Sequence, residues 1–259
     1  MAFPDLFSLE GRTALVAGAS RGIGLAIAQG LAGAGARTLL AARSVEALER
    51  EAAALGGQGL AAEAVRLDVA DPDSIRSVAA AHPDVDILVN VAGINLRKRF
   101  EEYTRQEYDQ ILETNLHGIV QLTQLVGKRM IERARGGKII LIGSMMSLVG
   151  LPYLTVYAIT KSALAGLTRT LAAEWGPHNI QVNCIAPGMI PTNLNRAMWE
   201  PERMREWFQG AASNPDFGKP ADVAALAVFL AGRGADYITG QIIAVDGGYS
   251  TTARWPFEP

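Results

Sequence analysis

The stretch RTALVAGASRGIGLAIAQGLAGAG, residues 12–35, joins two apolar patterns through a glycine-rich loop. Residues 12–18 form a short continuous apolar run, which predicts a buried strand. Residues 23–35 are rich in alanine and leucine and end in glycine, a pattern typical of a helix and its C-terminal stop. A strand, a glycine loop and a helix in this order favour a phosphate-binding turn of a parallel α/β sheet.

The loop GASRGIG carries its glycines at positions 18, 22 and 24. Gly18 would allow a tight turn, Gly22 would let the backbone approach a pyrophosphate, and Gly24 would permit close packing of the helix. The spacing Gly-x-x-x-Gly-x-Gly differs from the Gly-x-Gly-x-x-Gly form of the dinucleotide fingerprint. For this loop taken alone, a plain tight turn between strand and helix remains the alternative.

Outward from this loop, short apolar runs alternate with longer amphipathic ones. Strands are predicted at 12–18, 36–42, 62–69, 86–93, 137–144, 180–187 and 241–248. Helices are predicted at 23–35, 44–55, 71–82, about 104–135, 155–176 and 220–232, with Asp71 capping the third and Pro72 at its first position. Strands that are apolar on both faces and alternate with helices indicate a parallel sheet covered on both sides. We therefore predict one α/β domain over residues 1–259, with a doubly wound seven-stranded parallel sheet.

Composition limits the classes of function. The 259 residues are 49% hydrophobic and carry a net charge of -2, so neither nucleic acid nor an anionic membrane is an expected partner. No apolar run approaches the roughly 18 residues of a membrane span, and the N-terminal residues lack the basic start of a secretory signal. We expect a cytoplasmic protein. The single cysteine, Cys184, excludes an intrachain disulfide.

The end of the second predicted strand bears on cofactor choice. An acid placed about 20 residues after the glycine loop would bind the ribose hydroxyls of NAD. Ala42 and Arg43 occupy this place, and Arg21 lies in the loop itself. Because a guanidinium donates paired hydrogen bonds to phosphate, we expect NADP, with NAD possible. The alternative is that both arginines are solvated surface residues.

Tyr157 and Lys161 stand four residues apart in VYAITKSAL, so a helix places them on one face. Taken alone, such a pair is most often a chance surface pair. The three histidines, His82, His117 and His178, show no metal-binding spacing, and no metal site is expected.

From about Leu9 to Gly248 the chain resembles the classical short-chain dehydrogenase/reductase family. GASRGIG is similar to the family's cofactor loop, LDV (67–69) to its adenine-contacting segment, NVAG (90–93) to its Asn-Asn-Ala-Gly motif and APG (186–188) to its Pro-Gly turn. The resemblance implies a Rossmann-type fold, an NAD(P)-dependent oxidoreductase, and a homo-oligomer, dimer or tetramer. It implies a catalytic set that matches in order and spacing: Asn115, Ser144, Tyr157 and Lys161.

The resemblance also assigns roles. Tyr157 would exchange the proton with the substrate, Ser144 would hydrogen-bond the substrate oxygen, and Lys161 would lower the tyrosine pKa and hold the nicotinamide ribose. Asn115 would bind a water that links Lys161 to solvent. The positions implied for the cofactor are Gly18, Ser20, Arg21, Gly22, Ile23, Gly24, Arg43, Asp68, Val69, Asn90, Ala92, Gly93, Tyr157, Lys161, Pro187, Gly188, Ile190 and Thr192.

Two residues depart from the family pattern. Ala17 stands where a threonine usually ties the loop to the fourth strand, and Val91 stands where the second asparagine of the motif usually lies. We expect an apolar contact to replace a polar one at these positions, with more effect on stability than on chemistry.

For the substrate, SMMSLVG (144–150) and GINLRKR (93–99) resemble sugar-acid members such as gluconate 5-dehydrogenases, which implies a sugar acid or polyol. Arg97 is the candidate for the substrate carboxylate, with a surface arginine as the alternative. The other candidate substrate positions are Asn95, Met145, Met146, Tyr153 and Met189. Residues 190–215 correspond to a lid, in which Met198, Trp199, Trp207 and Phe208 would close on the substrate, or would bury against the sheet or a partner subunit. Two alternatives remain open, a 3-ketoacyl carrier-protein reductase and a non-catalytic NADP(H)-binding redox sensor.

Overall fold

The computed structural model describes residues 3–192 and 196–252. The strands are β1 (Thr13–Ala17), β2 (Arg37–Ala42), β3 (Ala62–Arg66), β4 (Ile87–Asn90), β5 (Gly137–Ile142), β6 (Ile180–Pro187) and β7 (Ile242–Val245). The α-helices are α1 (Gly22–Gly33), α2 (Val45–Gly56), α3 (Pro72–Ala81), α4 (Arg105–Leu112), α5 (Gly118–Arg133), α6 (Thr155–Trp175), α7 (Arg196–Trp199), α8 (Glu202–Ala211) and α9 (Pro220–Ala231).

The sheet has the strand order β3-β2-β1-β4-β5-β6-β7, and every pair of neighbouring strands is parallel. From β1 the chain moves outward to β2 and β3, then returns to place β4 on the other side of β1. The strand order therefore reverses between β1 and β4, and the crevice at the carboxyl ends of these strands is where such sheets bind ligands. The predicted seven-stranded, doubly wound parallel sheet is confirmed.

Both faces of the sheet are covered, and the alternation along β1 shows how. Ala14 and Val16 pack in an apolar layer with α1, α2 and α9, whereas Leu15 and Ala17 pack with α3, α5 and α6 on the opposite face. All five β1 residues are buried, which explains a continuous apolar run rather than an alternating one. The α3 cap is also as predicted, since the Asp71 carboxylate accepts a hydrogen bond of 2.9 Å from the Asp73 amide.

Several predicted bounds are wrong. The helical stretch expected over about 104–135 continues without a gap from α4 to α5, but one π-helical turn at Glu113–His117 interrupts its α-helical pattern. A contact that the sequence pattern does not encode accompanies this turn: a Cβ on Gly118 would lie 1.7 Å from the Val69 carbonyl oxygen. The strands predicted at 62–69, 86–93, 137–144 and 241–248 are shorter, because the chain leaves the sheet there to form loops at its carboxyl edge.

A third apolar cluster lies outside the two layers and contains residues of the predicted lid. Trp199 and Phe208 are buried in it together with Met145, Met146 and Met189. Phe208 stacks on Phe217 with ring centroids 4.4 Å apart, and Trp207 is 40% exposed. Trp199 and Phe208 therefore pack against the protein; residues 193–195 of the predicted lid lie outside the described residues.

Within the described ranges, no helix is both long and apolar enough to cross a membrane. Over the same ranges, no three metal-ligating side chains are grouped so that they could hold an ion.

Candidate active site

A cavity of about 950 Å³ opens at the carboxyl edge of the sheet, where the strand order reverses. Most of the sequence-predicted residues line it. They are Gly18, Ser20, Arg21, Gly22, Ile23, Gly24, Arg43, Gly93, Asn95, Arg97, Ser144, Tyr157, Lys161, Pro187, Gly188, Ile190 and Thr192. The structure thus brings residues from five loops into one space, as the topology predicts.

The glycine loop packs closely against neighbouring backbone atoms because its glycines have no Cβ. Gly18 has φ +97°, and a Cβ on it would lie 2.7 Å from the Ala92 backbone nitrogen. A Cβ on Gly24 would lie 2.1 Å from the Gly18 carbonyl oxygen, so the first turn of α1 packs directly on the loop. Arg21 precedes α1 and makes no side-chain cap hydrogen bond, which leaves the first amides of this helix available to an anion.

Backbone atoms tie the loop to β4 at the two departures from the family pattern. The Ala17 carbonyl accepts hydrogen bonds of 2.9 Å from the amides of Val91 and Ala92. Ala17 and Val91 pack in opposite apolar layers, on the two faces of the sheet. The expected apolar contact between these two positions is therefore wrong, because their side chains pack on opposite faces of the sheet and the described tie is through main-chain hydrogen bonds.

The ribose end of the cavity is lined by Ala42, Arg43 and Arg21. Both arginines are exposed, and neither forms an ion pair with a carboxylate of the described residues. Two unpaired guanidinium groups beside a small apolar residue form an environment that suits a phosphate and offers no acid for ribose hydroxyls.

Helix α6 holds Tyr157 and Lys161 at the other end of the cavity. The Lys161 ammonium is buried, lies 5.6 Å from the centroid of the Tyr157 ring and donates a hydrogen bond of 2.7 Å to the Ile142 carbonyl. The surface-pair alternative is therefore wrong for Lys161. Ser144 begins the short helical turn Met145–Ser147, and Ser147 fastens this turn to α6 by donating a 2.8 Å hydrogen bond to the Lys161 carbonyl.

Burial and nearby charges set the proton affinities of these groups. Burial lowers the pKa of Lys161 to about 8. Burial raises the pKa of Tyr157. A hydrogen bond from Ser144 and the positive charge of Arg97 act in the opposite direction and lower this pKa, but by less. The sequence assigned the opposing charge to Lys161. In the structure Arg97 is the cation that lowers the Tyr157 pKa, and burial outweighs it.

Asn115 lies in the π-helical turn and is fully buried, outside the cavity lining. Its side chain pairs with the Ile94 backbone at both ends: its Oδ1 accepts from the amide at 2.7 Å, and its Nδ2 donates to the carbonyl at 2.8 Å. This pairing fixes the loop after β4, which carries Gly93 and Arg97. π-Helical turns inside α-helices often mark functional sites.

Arg97 differs from its two basic neighbours. The Lys98 ammonium lies 3.0 Å from the Glu107 carboxylate, and Arg99 pairs with Glu101 at 3.8 Å. Arg97 lines the cavity and has no carboxylate partner among the described residues. Partial burial lowers its pKa, so an anion beside it would restore part of the lost solvation.

Some predicted residues do not line the cavity: Asp68, Val69, Asn90, Ala92, Asn115, Met145, Met146, Tyr153 and Met189. The three methionines are buried in the third apolar cluster, and Tyr157 packs against this cluster. Sequence reasoning missed the lining residues Ser44, Ala47, Val91, Ile94, Ile142 and Gly143. For Ser44, Val91, Ile94 and Gly143, the available signal was that each adjoins a predicted residue.

The chain is similar to known proteins over nearly its whole length. A family model described as enoyl-(acyl carrier protein) reductase matches residues 18–250. Gluconate 5-dehydrogenase of Gluconobacter oxydans (strain 621H) is 38% identical over 256 residues, which cover 97% of this chain and 100% of that protein. 2-Dehydro-3-deoxy-D-gluconate 5-dehydrogenase of Bacillus subtilis (strain 168) is 39% identical over 248 residues, or 95% and 97% of the two chains.

Among solved structures, a gluconate 5-dehydrogenase from Burkholderia cenocepacia J2315 in complex with NADP and tartrate superposes with a TM-score of 0.93. The two sequences are 34% identical, and the match covers 97% of this chain and 100% of the other. The likeness therefore extends over the sheet, the cavity loops and the helices that cover them.

Proposed function

The chain belongs to the short-chain dehydrogenase/reductase family, and from this premise we propose that it interconverts a secondary hydroxyl and a ketone of a sugar acid or polyol with NADP(H). The observation that carries the proposal is the meeting of Ser144, Tyr157, Lys161 and Arg97 in one cavity with the glycine loop. The first three supply acid–base chemistry, and Arg97 supplies a cation for a carboxylate.

The residues at the cavity wall fit NADP. The amides at the start of α1 and the close approach allowed by Gly22 suit the pyrophosphate, and Arg21 with Arg43 would flank the 2′-phosphate. The relatives support this fit, because a gluconate 5-dehydrogenase of the same fold binds NADP. When bound, the nicotinamide supplies or accepts the hydride.

The side chains move the proton. In reduction, the Tyr157 hydroxyl gives its proton to the substrate oxygen as the carbonyl carbon receives the hydride, and the O–H bond of the tyrosine breaks to leave a phenolate. In oxidation, the phenolate takes the proton of the alcohol. Ser144 donates a hydrogen bond to the same oxygen while negative charge develops on it. Arg97 holds a positive charge on this side of the cavity, and this charge favours the phenolate.

Lys161 connects the site to solvent in this proposal. With its pKa at about 8, its ammonium can exchange a proton at near-neutral pH. Both side-chain ends of Asn115 are engaged with Ile94, so its amide group is not available for the relay water that the family resemblance implies. The role of Asn115 is thus to keep the π-helical turn and the Ile94 segment in place.

We also propose that the protein is a homo-oligomer assembled through α5 and α6. Val120 on α5 is 37% exposed and Ile159 on α6 is 43% exposed, so each helix presents an apolar side chain to solvent. Light scattering at several protein concentrations tests this, and a monomer at all of them would contradict it.

The experiment that tests the function is a substrate panel. Gluconate, a 5-keto sugar acid, a neutral polyol and a ketoacyl thioester are each offered with NADP(H) and NAD(H), and turnover is followed by the absorbance of the reduced nicotinamide. We expect the highest kcat/KM with a sugar acid and NADP(H). A ketoacyl thioester that outperforms every sugar acid would replace the proposed substrate, and absence of any turnover would favour a binding protein.

A further inference from the structure

Tyr153 has an unusual backbone. Its φ is +66°, in the left-handed region that favours glycine and is costly for a residue with a large side chain. Its side chain is not held by core packing, since Tyr153 is 52% exposed. Strained conformations of this kind persist where the surrounding structure requires them, and they concentrate at functional sites.

The other described non-glycine residues with positive φ have an ordinary explanation. Ala134, at φ +51°, follows the last residue of α5, and Asn179, at φ +57°, follows a short helical turn. A left-handed residue at such a place is a common way to end a helix. Tyr153 instead lies two residues before α6 begins, where no helix ends. Its conformation therefore needs another reason.

The Tyr153 carbonyl provides one. It accepts a hydrogen bond of 3.0 Å from the Lys98 amide, which joins the loop before α6 to the loop after β4. The Lys98 side chain is fixed as well, because its ammonium lies 3.0 Å from the carboxylate of Glu107 at the start of α4. Arg97, the residue before Lys98, is thus held beside two anchored groups.

We propose that Tyr153 is a positioning residue whose left-handed backbone aims its carbonyl at the Lys98 amide and thereby orients Arg97 toward the substrate. The proposal rests on the role given to Arg97 in the proposed function. In this proposal the Tyr153 backbone, rather than its ring, orients Arg97. A residue that favours the left-handed region should therefore preserve the effect, and one that disfavours it should abolish the effect.

The test compares substitutions with opposite backbone preferences. Tyr153→Gly removes the ring but favours positive φ, whereas Tyr153→Val removes the ring and disfavours positive φ. We expect Tyr153→Val to raise KM for the sugar acid about tenfold, as expected for a weakened charged hydrogen bond, with kcat for a neutral polyol within about twofold. Tyr153→Gly should leave both within about twofold. Tyr153→Leu is measured in parallel in case the valine variant does not fold.

A double-mutant cycle shows whether the effect passes through Arg97. In an Arg97→Ala background, Tyr153→Val should cause no further rise in KM for the acid. Ala134→Val is the matched control, since it places a β-branched residue at an exposed left-handed position at the opposite edge of the sheet. It should lower the melting temperature without changing KM.

Three results would overturn the proposal: equal effects of Tyr153→Gly and Tyr153→Val, no effect of either, or an additive effect in the Arg97→Ala background. The first would assign the role to the ring, and the other two would make Tyr153 structural. Failure of the proposed function can be told apart from failure of this proposal. It would appear as a lack of sugar-acid turnover by the parent protein, or as an unchanged KM for the sugar acid in Arg97→Ala.

Discussion

The Lys161 ammonium lies 5.6 Å from the centroid of the Tyr157 ring and donates a 2.7 Å hydrogen bond to the Ile142 carbonyl. No carboxylate of the described residues pairs with this buried cation. Tyr157 and Lys161 therefore share one poorly solvated part of the cavity, where burial raises the pKa of Tyr157 and lowers that of Lys161.

Replacing the tyrosine separates proton transfer from binding. Tyr157→Phe keeps the ring and removes the proton donor, so kcat should fall by about 10² to 10⁴-fold while the Kd for NADP(H) changes little. Steady-state kinetics and a fluorescence titration of NADPH measure the two quantities. Activity within about threefold of the parent would exclude Tyr157 as the acid–base group. Lys161→Ala should lower kcat and also weaken NADP(H) binding, since Lys161 has a proposed role in both.

The buried Lys161 ammonium should lower the free energy of unfolding at neutral pH. The pKa of Lys161 is about 8 in the folded protein and 10.5 as a free side chain, so between these values the unfolded chain binds more protons. Stability should therefore rise as pH increases from about 8 to about 10.5, and the cost is fully present below pH 8. Lys161→Met should gain about 1–3 kcal/mol in the free energy of unfolding near pH 7.

Urea unfolding of the parent and of Lys161→Met, near pH 7 and near pH 10, measures this gain. The gain should shrink at the higher pH, where the parent loses the penalty. An equal gain at both pH values would mean that packing, rather than the buried charge, separates the two proteins.

Cofactor choice should follow position 42. Ala42→Asp places a carboxylate where Arg21 and Arg43 line the cavity, and this carboxylate would repel a 2′-phosphate and accept hydrogen bonds from ribose hydroxyls. The ratio of kcat/KM for NADP(H) over NAD(H) should fall below one in the variant. The KM for the sugar acid at saturating cofactor serves as the control and should not change. A parent protein that prefers NAD(H) would contradict the proposed role of both arginines.

Much of this fold could be predicted because its signals are local. Continuous apolar runs predict the buried parallel strands, and the glycine loop between β1 and α1 places the cofactor end of the cavity. The positions of Ser144, Tyr157 and Lys161 at the other end required the family resemblance, since a tyrosine and a lysine four residues apart are common on exposed helices.

The features that sequence analysis missed depend on contacts between distant segments. The π-helical turn is accompanied by the pairing of Asn115 with Ile94 and by the contact of Gly118 with the Val69 carbonyl, residues 21 and 49 positions apart in the sequence. The charge that lowers the Tyr157 pKa comes from Arg97, on a loop after another strand. The positive φ of Tyr153 could not be predicted either, because the hydrogen bond between its carbonyl and the Lys98 amide forms only in the folded chain.

Arg97 should affect both the binding of the substrate and the pH dependence of its oxidation, and one substitution separates these effects. Arg97→Gln removes the charge, so KM for a sugar acid should rise about tenfold to a hundredfold through loss of a charged, bidentate hydrogen bond. With a neutral polyol, KM should change little. Because the Arg97 charge lowers the pKa of Tyr157, the midpoint of kcat/KM for polyol oxidation should move to higher pH in the variant. Arg99→Gln is the matched control, since it removes the same charge two residues away, from an exposed side chain that pairs with Glu101. If Arg99→Gln shifts KM and the pH midpoint as much as Arg97→Gln does, the effect is one of general surface charge, and Arg97 has no particular place at the substrate.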